Sequence, residues 1–551
     1  MKDLWKSLDP IGLLVGAVLL ALSLTPSLLP RPAALQGVGS GLLFGIGYAI
    51  GVGVSTVLGR LTTWRPSRRT RRILRLVGWP GYAVVLVLGA VAGVGAQNEV
   101  RRMVELAPLD GVNVSAFVLA LLLTSAVCLA LGRLVRRGWV RSYRRMMAQG
   151  RPRRRARRRA TARSLLAAAV VVAVVATGAY VGLDVLFRAR NGSPDPGLAV
   201  PASTYRSAGA GSEVEFSQLG RTGADFVAGG PTAEEITALT GRPALTPIRV
   251  YVGTAAGGTF TERAAVAVRE LERTGAFDRK VLVVATTTGS GWVEPQAVDS
   301  LEYLHSGDTA TVALQYAHTP SFVSALTDAD LPVRASAALF DAVRAKWLTL
   351  PEDQRPQLVV YGLSLGAQGT MNSFGTLERM RAETQGALLV GPTNATPMWH
   401  ELQAARDPGS PPWLPVLDEG VAVRWASRAS DFSTPTGTWE EPRVAILQHS
   451  TDPVTWLSAD LLWRRPDWLS GSGRAPDVSP HMHWIPVVTA VQVALDMLVA
   501  VDVPARHGHA FGDTMLDGWV AVTGDGGLDD ATLARIRTEI ETYWDINPAL
   551  E

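Results

Sequence analysis

Five apolar stretches crowd the first third of this 551-residue chain: Ile11–Leu29, Gly37–Leu58, Val77–Ala96, Val112–Leu131 and Ser164–Phe187. A helix needs about 20 apolar residues to span a bilayer, and each stretch is about that long. The sequence therefore predicts an N-terminal transmembrane helical region of about five helices. Lys2 and Lys6 ahead of the first stretch also suit a signal peptide, but four further stretches argue for a retained span.

Charge divides the chain at the same place. Before Asn191 there are 28 Lys and Arg against 6 Asp and Glu; afterwards there are 25 against 43. A basic first part and an acidic second part imply two domains with different surroundings. The basic residues fall mainly between the second and third stretches (Arg60 to Arg75) and between the fourth and fifth (Arg133 to Arg163). The alternate loops carry only Arg31, Arg101 and Arg102. The positive-inside rule puts both basic segments and the N-terminus in the cytoplasm, so everything after about Arg188 is expected outside. The expected location is the cytoplasmic (inner) membrane, multi-pass, with an extracytoplasmic C-terminal domain.

The run from Arg151 to Arg159 has no aromatic residues interleaved, which favours anionic lipid headgroups over nucleic acid. Gly37, Gly41, Gly45, Ala49 and Gly53 recur every four residues, giving a smooth face for helix packing within or between chains. No stretch has a charge near its centre, which speaks against an ion path. The single cysteine, Cys128, excludes an intrachain disulfide and a thiolate metal cluster.

The domains expected are 1–190 (membrane), 191–222 (a Gly-, Pro- and Ser-rich linker) and 223–551. In the last, short apolar runs alternate with helical periods. Strands are expected at Ile248–Val252, Lys280–Ala285, Thr311–Tyr316, Leu358–Tyr361, Gly386–Val390 and Arg443–Leu447. Helices are expected near Glu262–Thr274, Gln296–Leu304 and Val333–Leu348. This alternation predicts a mostly parallel sheet with helices on both faces, the α/β-hydrolase architecture.

The fourth run ends in Gly362-Leu363-Ser364-Leu365-Gly366, a G-x-S-x-G pattern between strand and helix. Ser364 is the expected nucleophile, and the N–H of Leu365 an oxyanion donor. A second donor is expected from the glycine-rich loop after Lys280–Ala285, at Gly289, Ser290 and Gly291. The acid should follow the serine and the base should follow the acid. Asp452 stands just after the strand Arg443–Leu447, where an Asp-Pro turn or helix cap is the alternative reading; Asp431, Asp460 and Asp467 are lesser choices. Four histidines follow it. His509, in the polar loop Pro504–Phe511, is the first choice and His507 the second; His481 and His483 remain. No acid or cysteine joins His507 and His509 in their loop, so no metal and no cofactor is expected.

Several stretches together resemble the actinobacterial integral-membrane α/β-hydrolase family: Pro247–Gly253, Arg273–Arg279, Gly289–Trp292, Gly362–Gly366, Leu447–Pro453, Trp484–Thr489 and His507–His509. The resemblance covers nearly the whole chain and implies a Ser–Asp–His hydrolase or acyltransferase of the cell envelope. It places Ser364, Asp452 and one of His507 and His509 in the triad. Leu363 departs from the acidic or polar residue often found at its position. The reading is a membrane-anchored serine hydrolase, esterase or acyltransferase acting on a membrane lipid or envelope glycolipid. The alternative is a non-catalytic envelope-assembly scaffold that uses the fold as a binding module; a lipid exporter with a fused domain is a third, weaker reading. The tryptophans from Trp399 to Trp468 suit either a lid or a core. Oligomeric state is not written in the sequence.

Overall fold

The computed structural model describes residues 8–61 and 89–542, which divide into two compact units. The first comprises Met1–Ala179 with two later segments, Leu457–Leu469 and Pro476–Val499. The second comprises Tyr180–Trp456, Ser470–Ala475 and Ala500–Glu551.

In the first unit the helix Pro10–Leu22 starts from Asp9, whose carboxylate accepts the N–H of Gly12 at 2.9 Å. It ends after 13 residues, where the Ser23 hydroxyl turns back onto the Leu20 carbonyl. At about 1.5 Å per residue this is too short to cross a bilayer. The expected span Ile11–Leu29 is therefore not one helix, because Ser23 and Pro26 interrupt it. Most of the expected span Val77–Ala96 lies outside the described residues, of which 89–103 are helical. Among the described residues three helices, not five, are long and apolar enough to cross a membrane: Ala33–Leu61, Val114–Ala148 and Arg153–Asn191.

Several glycines of Ala33–Leu61 pack within the chain. A Cβ on Gly41 would lie 2.7 Å from the Thr124 Cβ, and one on Gly45 2.5 Å from the Cys128 Cβ. On another face, a Cβ on Gly47 or Gly51 would meet the backbone of Val15 and Ile11 at 2.7 and 2.6 Å. One helix thus receives two neighbours at a separation that larger side chains forbid.

Pro476–Val499 joins this unit through a buried polar centre. The Asp496 carboxylate accepts the Ser27 hydroxyl and the Leu28 N–H (3.1 Å), and lies 3.5 Å from the Arg31 guanidinium. Gln492 donates to the Thr25 carbonyl at 2.9 Å.

The second unit is built on seven parallel strands: β1 (Ile248–Val252), β2 (Val281–Thr286), β3 (Thr309–Leu314), β4 (Gln357–Leu363), β5 (Gly386–Val390), β6 (Val423–Ala426) and β7 (Arg443–Leu447). Their spatial order is β1-β3-β2-β4-β5-β7-β6. Almost every strand residue is buried, as continuous runs such as Val-Leu-Val-Val-Ala-Thr of β2 require when helices cover both faces. Phe260–Thr274, Leu331–Trp347 and Leu365–Phe374 pack together on one face; Pro295–Leu304 and Thr514–Thr523 pack together on the other.

β3 begins two residues earlier than the apolar pattern suggests. β6 was not anticipated: it has four residues and contains Arg424, whose guanidinium is satisfied by the carbonyls of Gly420, Phe432 and Gly437. Trp399, Trp425 and Trp456 are core residues of this unit.

Candidate active site

β4 ends in a turn that holds Ser364 at φ 57° and ψ −118°, a conformation rare for a side-chain-bearing residue, before the helix Leu365–Phe374 begins. The flanking glycines make that turn possible. A Cβ on Gly362 would lie 2.5 Å from the Gly366 carbonyl, and one on Gly366 would overlap the Thr286 carbonyl. The Ser364 N–H donates to the Val390 carbonyl at 2.8 Å, tying the turn to the end of β5. Along 358–371 only Ser364 is more than marginally exposed.

Asp452 lies five residues beyond β7 and is fully buried. One carboxylate oxygen accepts the Val454 N–H at 2.8 Å and caps the short helix Pro453–Trp456. The other lies 2.6 Å from Nδ1 of His509. Asp452 is thus both a helix cap and an imidazole partner.

His509 is delivered by a tight turn in which Gly508 (φ 54°) and Arg506 (φ 73°) are left-handed, and its N–H donates to the Ala500 carbonyl at 2.7 Å. Its Nε2 is buried and makes no hydrogen bond. No Ser364–His509 hydrogen bond is formed; the two are linked through the end of β5. Val390 receives the Ser364 N–H, and the next residue, Gly391, lies beneath the imidazole. A Cβ there would stand 2.6 Å from Cε1 of His509.

His507 is buried in the same turn, and the 2.6 Å contact with Asp452 is made by the histidine two residues on. His481 sits in the other unit, 3.0 Å from Glu99, and His483 is in that unit too. Asp431 caps Ser427 and Arg428. Among the described residues no three His, Cys, Asp or Glu side chains are grouped to hold a metal ion.

The expected oxyanion donors differ in availability. The Gly289 N–H donates to the Ser321 hydroxyl at 3.1 Å and the Gly291 N–H to the Thr288 carbonyl at 3.0 Å, so both are engaged. The Ser290 carbonyl accepts from Thr222 and Gln315. The Leu365 N–H opens its helix without an intrahelical partner, as expected at this position. Sequence reasoning missed Thr287. It follows β2 directly, its N–H makes no hydrogen bond while its hydroxyl donates to the Leu314 carbonyl, and the Gly366 Cα packs against the Thr286–Thr287 backbone. Its position at the strand end was the available signal; glycine content drew attention further along the loop.

A parallel sheet with a serine on a strained strand-to-helix turn, followed in chain order by a paired aspartate and histidine, defines a domain of the α/β-hydrolase type. Residues 248–536 match the Alpha/beta-hydrolase family and residues 24–231 match the Alpha/beta-hydrolase family N-terminus. The chain belongs to this family. No curated protein and no solved structure matches it.

Proposed function

We propose that the protein is a membrane-anchored serine hydrolase or acyltransferase working through Ser364, His509 and Asp452. The observation that carries this reading is the 2.6 Å Asp452–His509 pair, with Nε2 of the histidine free and its ring over Gly391, the residue after the one that receives the Ser364 N–H. Asp452 fixes the proton on Nδ1 and leaves Nε2 as the base. Ser364 Oγ attacks the acyl carbonyl as Nε2 takes its proton; the carbonyl oxygen becomes an oxyanion facing the N–H groups of Leu365 and Thr287. Collapse expels the alcohol, which takes the proton back from His509. Water or a second hydroxyl then releases the acyl group from Ser364 by the same route.

The three long apolar helices support anchoring, since the exposed leucines and valines of Val114–Ala148 and Arg153–Asn191 need lipid to cover them. The fourteen arginines between Arg133 and Arg163, with no acid among them, belong on the cytoplasmic side against anionic lipid. The helix leaving that segment then carries the hydrolase unit to the outer face, whatever the number of preceding spans. An ester of a membrane lipid or envelope glycolipid is the substrate class that this location favours.

The test is labelling by a membrane-impermeant fluorophosphonate on intact cells expressing wild type or Ser364→Ala. Labelling of wild type alone is expected; labelling only after lysis refutes the topology. The absent Ser364–His509 hydrogen bond favours one second reading, a scaffold that binds without catalysis. Full complementation of a deletion strain by Ser364→Ala would establish it.

A further inference from the structure

The loop that carries Asp452 also grips the loop that carries His509. Gly508, immediately before the base, has both polar atoms of its backbone held: its N–H donates to the Thr451 hydroxyl at 2.9 Å, and its carbonyl lies 3.0 Å from Nδ1 of His449. Thr451 and His449 both lie within three residues of Asp452 and both are buried. We infer that His449 is a positioning residue for the reaction proposed above: together with Thr451 it clamps the Gly508 peptide and so sets the direction in which His509 meets Asp452 and Ser364. The inference rests on that Ser–His–Asp reading.

Three features make His449 suited to this work. A carbonyl only accepts, so Nδ1 of His449 must carry a proton, which selects the Nδ1–H tautomer of the neutral ring. Burial beside His507 and His509 pushes its pKa down to about 3, against the weaker opposing pull of Asp513 and the Gly508 carbonyl, so it does not compete for the proton that His509 handles. Its ring also stacks on Phe511 (centroids 4.2 Å apart, 20° between planes), and Phe511 stands edge-on to His509 at 5.5 Å. The clamp thus acts on the base twice, through the backbone before it and through the aromatic ring after it. The turn around Gly508 (φ 54°) is closed by the Ala510 N–H on the His507 carbonyl (3.1 Å) and the Arg506 N–H on the Ala510 carbonyl (2.8 Å), and the clamp fixes the peptide that lies within it.

The donor can be separated from the ring's bulk. His449→Phe keeps the stack on Phe511 and removes the donor; His449→Asn places an amide N–H where Nδ1 stood. Thr451→Val removes the other hold at similar volume. Each variant of the full-length protein would be compared for second-order fluorophosphonate labelling and for kcat and KM with p-nitrophenyl butyrate. His449→Phe should lose about 30-fold in labelling rate and kcat, as for a displaced catalytic group, with KM changed by less than about threefold. His449→Asn should recover to within about fivefold of wild type, and Thr451→Val should resemble His449→Phe. If His449→Phe labels at the wild-type rate, or if Phe and Asn are equally impaired, the positioning role is refuted while the triad stands. If wild type shows no Ser364-dependent labelling, the functional reading fails and this one falls with it. Should His449→Phe fail to fold, Thr451→Val and His449→Asn still decide the matter between them.

Discussion

Gly391 offers a way to move the proposed base without touching its chemistry. A Cβ there would stand 2.6 Å from Cε1 and 3.0 Å from Nδ1 of His509, and 2.9 Å from the Phe511 ring. An ordinary carbon contact is about 3.5–4.0 Å, so Gly391→Ala must displace the imidazole by about 1 Å. A misplacement of that size in a catalytic group costs about 100-fold, or about 2.7 kcal/mol in the barrier. Alanine at φ 50° adds about 1–2 kcal/mol of backbone strain, small enough to leave the protein folded. The assay is the fluorophosphonate labelling rate, read beside a urea melt that reports the stability cost separately. A double-mutant cycle sharpens it: in a His509→Ala background Gly391→Ala should slow labelling no further, because both act through one imidazole. Wild-type labelling by folded Gly391→Ala, or full additivity with His509→Ala, would refute the placement of the ring over Gly391.

Asp496→Ala should destabilise the first unit by about 3–5 kcal/mol, because it strands the buried Arg31 charge, whereas Arg31→Met with Asp496→Leu should cost much less than the two single changes combined. Limited proteolysis of 476–499 in detergent reads the difference. Gly41→Leu should disrupt packing on Thr124, seen as a lowered melting temperature in detergent, while Gly53→Leu, with nothing within 4 Å, should be neutral. Stability of the hydrolase unit should fall on both sides of mildly acidic pH. His305 and His449 are pushed down from 6.5 to about 4 and about 3, so their contribution is present above pH 6.5 and is lost as pH falls towards those values. Glu294 is pushed up by burial to about 7, so its contribution is present below about 4.5 and lost as pH rises through 7; urea melts of Glu294→Gln should lack that loss between about pH 4.5 and 7.

What could be read from the sequence was what is local in the chain. β4, the glycines around Ser364 and the position of Asp452 after β7 are set by runs of five to seven residues with little ambiguity of period. The choice between His507 and His509 was not local. Two imidazoles two residues apart share a loop, and the contact of His509 with Asp452 is made across 57 residues of chain that no local pattern records. Glycine content pointed to Gly289 and Gly291 as oxyanion donors, but a long-range partner, Ser321, occupies the first of these N–H groups. β6 was hidden because a strand holding Arg424 depends on three carbonyls from elsewhere. The first apolar stretch looked like a span because hydropathy does not register the Ser23 break.

The least legible feature bears most directly on the proposed chemistry. Between Asp452 and His509 the chain leaves the hydrolase unit: Leu457–Leu469 and Pro476–Val499 belong to the first unit, and the chain returns for good at Ala500. Ala500 is also the residue whose carbonyl accepts the His509 N–H. Acid and base are therefore joined through an excursion whose anchor is Asp496, held by Ser27, Leu28 and Arg31. A truncation that starts at residue 223 removes all three of those partners and leaves a buried carboxylate with none of them, at a cost of several kcal/mol. The excised hydrolase region is thus expected to be soluble only when 457–469 and 476–499 are also replaced by short linkers, and to label with fluorophosphonate only if the Ala500–His509 hydrogen bond survives that change. A simple 223–551 fragment that folds and labels at the full-length rate would show that the N-terminal region is an anchor and nothing more.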